Sequence, residues 1–339
     1  MNELDSANVL GSTMLFPDQC EQAWTESSSL SFGDRYKNIY NIVVCGMGGS
    51  RFPPKTIKEL FRDRIKEPYE IVEDYTLPSY VDSDTLVILS SYSGTTEEVI
   101  SCANDAIKRG SRITGVTSGG QIAQILREHT GYVFTPKHNP SDQPRIGGGY
   151  LLMGHIGLLK ALNLLEIDSS EVEEAIKFIR EQTSNIQSKA KDLAKELKDK
   201  HTFIITSEFL KGFGNGFGNQ LNETAKIISD PRNIPELNHH LMEGLKYPDT
   251  LHTNGLFLFF VSDLYSAQVQ KRYRVTEEVV KKQNIQTLNV VLTGKTKLSQ
   301  ALEAYTLSGF TSFYLAMFNN LDPSKIPWVD YFKKELAKD

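Results

Sequence analysis

From Asn41 onwards, short apolar runs alternate with longer amphipathic stretches. "NIVVCGM", "YEIVED", "DTLVILSSYSG", "SRITGVTSGG" and "GYVFTP" read as strands, and "SRFPPKTIKELFRDRI", "TTEEVISCANDAIKRG" and "QIAQILREHT" read as helices between them. Strands alternating with helical periods predict a parallel sheet covered by helices on both faces. Residues 1–40 predict helix, with a loop near "SSSLSFGD".

"PKHNPSDQPRIGGGY" is dense in proline and glycine and predicts a loop between two halves. "SEVEEAIKFIREQTSNIQSKAKDLAKELKDK" follows as a charged amphipathic helix or helix pair, expected to act as a bracket between domains or as a seam between subunits. The alternation then restarts. "HTFIITSEFLKGFGNGFGNQLNETAKI" reads as strand, glycine loop and helix, "TNGLFLFFVSD" and "IQTLNVVLTG" as strands, and "QALEAYTLSGFTSFYLAMF" as a buried helix. The expected fold is α/β, with two doubly wound domains at residues 1–155 and 156–339, and 339 residues are ample for two such cores.

Charge narrows the ligand. A net charge of −5 provides no overall positive field for nucleic acid or an anionic membrane. An anionic small ligand therefore needs a local positive site. Cys20, Cys45 and Cys102 are far apart and show no zinc-site spacing, which fits a reducing cytoplasm. The amino-terminal residues carry no signal-peptide pattern, and "GLFLFFV" is far shorter than the roughly 20 residues a membrane helix needs.

Three strand-to-helix turns carry candidate chemistry. In "CGMGGSRF", Gly46 and Gly48 match the start of the dinucleotide fingerprint, but Arg51 stands where its third glycine belongs. That reading argues against NAD, and the lysine of an ATP-binding P-loop is also missing. "SSYSGTTEE" sets Ser91, Ser93, Thr95 and Thr96 around Gly94 at a helix start. One hydroxyl would be enough for an N-cap. Several hydroxyls beside the free N–H groups of a helix start suit phosphate instead. "VTSGG" ends the next strand, and Thr117, Ser118, Gly119 and Gly120 are expected on the same rim. Ligands of doubly wound sheets bind at that rim, the carboxyl ends of the strands.

Together, "GMGGS", "SYSGTTEE" and "VTSGG" resemble the SIS (sugar isomerase) fold in order and spacing, and more closely the bifunctional phosphoglucose/phosphomannose isomerases. That family carries an arginine in a stretch like "PRIGGGYLLMG", a glutamate like Glu223 in "NQLNETAKI", an "ELNH" like Glu236 to His239, and a lysine near the end like Lys333 after Asp322-Pro323. The likeness runs from about residue 40 to the end. The family usually continues "ELNH" with Asn-Glu, whereas this chain has His240 and Leu241, a departure that bears on sugar-hydroxyl contacts or the subunit seam.

The resemblance implies an isomerase that moves a proton between C1 and C2 of a hexose 6-phosphate through a cis-enediolate, without metal or cofactor. Glu223 is then the base, expected at the start of a helix after the glycine stretch. A lone glutamate there is more commonly a surface residue that favours the helix dipole. Arg145 would hold the developing oxyanion. His239 would open the sugar ring, entering the neighbouring subunit's site in a homodimer, with Lys333 assisting. Phosphate would bind Gly48, Gly49, Ser50, Ser91, Ser93 and Thr96. Glucose 6-phosphate and fructose 6-phosphate are the implied substrates, with mannose 6-phosphate as a second, since both C2 epimers feed one enediolate. Two alternatives stay open: a non-catalytic sugar-phosphate sensor, and an isomerase for another sugar phosphate.

Overall fold

The computed structural model describes residues 3–336 and 338. Helices α1 (Val9–Met14) and α2 (Phe16–Ser28) precede the first sheet. Then follow β1 (Asn41–Gly46), α3 (Phe52–Leu60), β2 (Tyr69–Val72), β3 (Thr85–Ser90), α4 (Glu97–Lys108), β4 (Arg112–Thr117), α5 (Gly120–Ile125), β5 (Tyr132–Val133) and α6 (Gly148–Ala161). The five strands are parallel in the order β2-β1-β3-β4-β5, so the chain changes direction across the sheet between β1 and β3.

A 29-residue helix, α7 (Ser169–Leu197), leads to the second sheet. Its elements are β6 (His201–Ser207), α8 (Lys211–Gln220), β7 (Ser229–Ile234), the short α9 (Leu241–Gly244) and α10 (Leu251–Asn254), β8 (Gly255–Val261), α11 (Ala267–Lys282), β9 (Gln286–Val291), α12 (Lys297–Phe318) and α13 (Pro327–Leu336). Four parallel strands run in the order β7-β6-β8-β9, with the change of direction between β6 and β8. The α/β class expected from the apolar pattern is the one observed.

Burial explains the runs. β1 and β3 are covered on both faces, so alternate residues feed two cores. Ile42, Val44, Leu86 and Ile88 join the large core that continues into the second sheet. Val43, Cys45, Val87 and Leu89 pack under α4 and α5 in a smaller one. α12 is buried from Leu298 to Ala316 and forms the central post, against which α7 and α8 lie.

One alternative is decided and one expectation is corrected. The charged stretch is a single helix, because no Gly or Pro interrupts residues 169–197 and its apolar stripe runs through Val172, Ile176, Ile179, Ile186, Ala190 and Leu197. The expected glycine loop "GFGNGFGNQ" is itself a helix, α8. Its glycines make close approach possible on two sides. A Cβ at Gly212 would stand 2.3 Å from the Lys55 backbone of α3, one at Gly216 3.2 Å from Phe52, one at Gly214 2.9 Å from Thr206 of β6, and one at Gly218 2.9 Å from Pro231 of β7. Phe213 and Phe217 fill the core between them. Packing thus overrides glycine's poor helix propensity, about 1 kcal/mol per residue.

Candidate active site

The turns after β1, β3 and β4 meet at the direction change of the first sheet. The Ser50 hydroxyl accepts the Tyr92 N–H at 3.0 Å, and the Ser90 hydroxyl donates to the Ser50 carbonyl at 2.6 Å. Gly94 has φ +68° and presses on the β4 turn, where a Cβ would fall 1.8 Å from the Gly119 carbonyl oxygen. Only glycine meets both demands. Ser118 braces the same turn, its hydroxyl and its N–H both donating to the Tyr92 carbonyl. The Thr117 hydroxyl turns to the Gly119 carbonyl at 3.1 Å. The β4 turn therefore supports the β3 loop with its polar groups.

The β3 loop exposes Ser93 and Thr95, while Ser91 is buried and its hydroxyl accepts the Gly94 N–H at 3.1 Å. Ser91 and Thr96 hydroxyls lie 2.8 Å apart, and Ser93 and Thr95 hydroxyls 3.0 Å apart. Thr96 is the N-cap residue of α4, yet its side chain makes no capping hydrogen bond. The hydroxyl that could have been a cap is paired with Ser91, and the start of α4 keeps its free N–H groups and its positive end of the dipole.

Gly49 ties this region to Arg145, since a Cβ on Gly49 would lie 3.4 Å from the Arg145 Cα. Arg145 sits in the turn before α6 and is 6% exposed. Its Nε donates to the Thr224 hydroxyl at 3.2 Å, Nη1 to the Gln143 side-chain oxygen at 2.8 Å, and Nη2 to the Pro323 and Ser324 carbonyls at 2.7 and 3.0 Å. A guanidinium has five N–H groups. Four are engaged, and the fifth is on Nη1, the nitrogen 3.7 Å from Glu223 Oε2.

Glu223 is not at a helix start. α8 ends in a π turn, Leu221–Ala225, and Glu223 lies within it, at the carboxyl end of the helix formed by the glycine stretch. π turns inside or at the end of α-helices often mark functional sites. Burial pushes the Glu223 carboxyl above its ordinary value, while Arg145, Lys333 and Lys226 pull it down. Burial also lowers Arg145, with Glu223, Asp322 and Asp330 opposing.

The expected site residues thus fall into three sets. Ser50, Ser91, Ser93 and Thr96 lie in the hydrogen-bonded turns after β1 and β3, Gly48 and Gly49 stand beside Ser50 with Gly49 against Arg145, and Arg145 faces Glu223. Lys333, on the exposed α13, is within electrostatic reach of Glu223. His239 ends the short helical turn Glu236–His239, is exposed, and among the described residues has no hydrogen bond or ion pair to any of the others.

Sequence reasoning missed Lys226. It closes the π turn at φ +56° and donates to the carbonyls of Thr224 and Asp322 at 3.2 and 3.0 Å. It also missed the turn 322–324, whose carbonyls receive both cations. No spacing rule points to either, because backbone acceptors leave no side-chain signature. Among the described residues, no group of three or more His, Cys, Asp and Glu side chains is placed to hold a metal ion, and no helix is long and apolar enough to cross a membrane.

Comparison with known proteins identifies the family of the chain. Residues 186–336 match the family model of the bacterial phospho-glucose isomerase C-terminal SIS domain. The chain is 30% identical to the bifunctional phosphoglucose/phosphomannose isomerase of Caldicellulosiruptor bescii, over 95% of this chain and 97% of that one. It is also 30% identical to the enzyme of the same name from Thermoplasma volcanium, over 94% and 99%. Among solved structures, tagatose-6-phosphate ketose/aldose isomerase from Escherichia coli matches with TM-score 0.73 at 13% identity, over 94% of this chain and 97% of that one. That level of identity shows the shared fold.

Proposed function

Because the chain belongs to the bifunctional phosphoglucose/phosphomannose isomerase family, we propose that it interconverts glucose 6-phosphate and mannose 6-phosphate with fructose 6-phosphate by proton transfer at C1 and C2. The observation that carries the reading is the pairing of Glu223 with the one uncommitted N–H of Arg145. A base and a fixed cation side by side are the two groups an enediolate needs.

The steps follow from the groups present. The 6-phosphate is held by the Ser50, Ser91, Ser93 and Thr96 hydroxyls, the N–H groups of Gly48 and Gly49, and the start of α4. His239 and Lys333 serve ring opening, protonating the ring oxygen as the anomeric hydroxyl loses its proton. Glu223 removes the proton from C2 of the aldose, the electrons form the enediolate, and the Arg145 Nη1–H donates to the oxyanion. The O2 proton passes to O1 within the enediolate, the same carboxyl returns its proton to C1, and the carbonyl forms at C2. Return to either face of C2 in the reverse direction gives glucose 6-phosphate or mannose 6-phosphate. The charge is balanced by side chains, so the cycle requires no metal.

Two features support a homodimer with shared sites. His239 is exposed and, among the described residues, makes no hydrogen bond or ion pair to Glu223. Trp328, Phe332 and Leu336 recur every fourth residue on α13 and are 82%, 60% and 55% exposed, an apolar stripe suited to a second copy. Three buried free cysteines fit work in the reducing cytoplasm. The test is a coupled assay on fructose 6-phosphate with EDTA present, beside Glu223→Gln. Glucose and mannose 6-phosphates are expected from the wild type, with a fall of about a hundredfold or more in the variant. A wild type that binds hexose phosphate and turns over neither would overturn the reading and favour a sensor.

A further inference from the structure

We infer that Lys226 is a positioning residue of this site: its ammonium fastens the π turn that carries Glu223 to the turn 322–324 on which the Arg145 guanidinium rests. The inference deepens the isomerase reading and rests on it.

The bonds form a closed ring. Thr224, next to Glu223, accepts the Arg145 Nε–H on its hydroxyl oxygen and the Lys226 ammonium on its carbonyl. Arg145 Nη2 continues to the Pro323 and Ser324 carbonyls, and Lys226 Nζ to the Asp322 carbonyl. Three consecutive carbonyls after α12 therefore rest on two cations. The Asp322 carboxylate locks that turn from within, accepting the N–H and the hydroxyl of Ser324 at 2.8 and 2.6 Å, and it also accepts the Ser6 hydroxyl at 2.7 Å. With Lys226 removed, Thr224 and Asp322 lose a shared donor, and of the hydrogen bonds in the ring only that from Arg145 Nε to the Thr224 hydroxyl still holds the π turn from across the site. The left-handed backbone at Lys226 aims its side chain back across the turn instead of onward with the helix.

The clamp is also electrostatic. Arg145 faces Lys226 as a like charge, and Asp322 and Glu223 face it as opposite ones. Lys333 on α13 faces Glu223, and Asp330 faces Arg145. Partial burial, then the Arg145 charge, push the Lys226 ammonium down to about 8. The sign follows. Below pH 8 the ammonium is charged, holds both carbonyls and favours ionised Glu223. Above pH 8 the amine is neutral, the clamp weakens and the crevice loses a positive charge. Lys226 thus sets an alkaline limit on turnover.

The experiment measures kcat and KM for glucose 6-phosphate from pH 6 to 10 in the wild type, Lys226→Met and Lys226→Arg. Lys226→Met is expected to lose about tenfold or more in kcat, with KM little changed, because the base is misplaced while the phosphate loops are untouched. Its acid limb should move up by about half a pH unit or more, since Glu223 loses a cation. Lys226→Arg keeps a charge at every working pH, so it should recover most of kcat at pH 7.5 and move the alkaline limb upward. Wild-type kcat in Lys226→Met, or an alkaline limb in Lys226→Arg that superposes on the wild type, overturns the inference. A wild type without turnover sinks the isomerase reading instead. In that case the clamp is judged by the melting temperatures of the three proteins at pH 7, where a loss in Lys226→Met that Lys226→Arg recovers supports it and an unchanged Lys226→Met overturns it.

Discussion

At the residue scale, the site depends on how few donors remain free. Arg145 is buried, and all but one of its N–H groups are engaged by protein acceptors. Arg145→Lys presents three donors from a single point and cannot reach four acceptors and the substrate together. It should lower kcat by about a hundredfold and also lower the melting temperature, as read by steady-state kinetics beside calorimetry. Gly94→Ala tests the proposed phosphate loop. Its Cβ meets the Gly119 carbonyl in a left-handed backbone, so the loop must move. KM for fructose 6-phosphate should rise by about tenfold or more, while kcat falls less. Burial raises the Glu223 carboxyl above its ordinary value of 4.5, so with Glu223 as the proposed base activity should be lost as pH falls through a midpoint above that value, because only a carboxylate can remove the proton. Sequence singled out Glu223 and Arg145 by their place in an ordered set of motifs. It missed Lys226, which acts on backbone carbonyls, and it favoured Lys333, whose charge reaches Glu223 from an exposed helix.

At the element scale, the most informative misreading is "GFGNGFGNQ". Glycine every second residue predicts a loop by propensity, yet the segment is a helix pressed against α3 on one side and β6 and β7 on the other. Gly212→Ala separates packing from propensity. Propensity alone would stabilise α8 by about 1 kcal/mol. The clash of its Cβ with the Lys55 backbone should outweigh that and give a net loss of about 1–3 kcal/mol in urea unfolding. A stabilised Gly212→Ala would show that α3 and α8 do not approach this closely. α7 was readable as an amphipathic helix because its apolar stripe keeps its period through Leu197. Its role was not readable. Whether it brackets two sheets or seams two subunits depends on what covers the stripe, and α12 covers it.

At the scale of the whole molecule, two groups report on assembly and acid stability. If His239 completes the neighbour's site, Glu223→Gln and His239→Ala homodimers are each inactive, and mixing them creates one intact site per hybrid dimer. Recovered turnover after co-refolding is the expected outcome, and none would place His239 outside the shared site. His155 is fully buried on α6, with Nδ1 on the Leu151 carbonyl at 2.6 Å and Nε2 without a partner among the described residues. Burial lowers it to about 4. The unfolded chain takes up its proton below the ordinary value of 6.5, and the folded chain does so only near 4, so stability is lost as pH falls through that window. The loss should be about 3 kcal/mol and largely absent in His155→Leu, measured by urea unfolding at pH 7 and pH 4.

By itself, the sequence determined what depends on neighbours along the chain. The apolar runs bounded by turns determined the strands, and the strand–helix alternation made them parallel. The hydroxyl-rich turn before α4 marked a candidate anion site, because cap chemistry and anion binding both act over one turn of helix. The tertiary structure decided what depends on groups brought together from distant places. It made the glycine stretch a helix, put Glu223 in a π turn at its far end, left one N–H of Arg145 free beside it, and brought Lys226 and the carbonyls of 322–324 under the same site. Those outcomes rest on close packing and on hydrogen bonds to backbone, and neither leaves a pattern in the order of side chains.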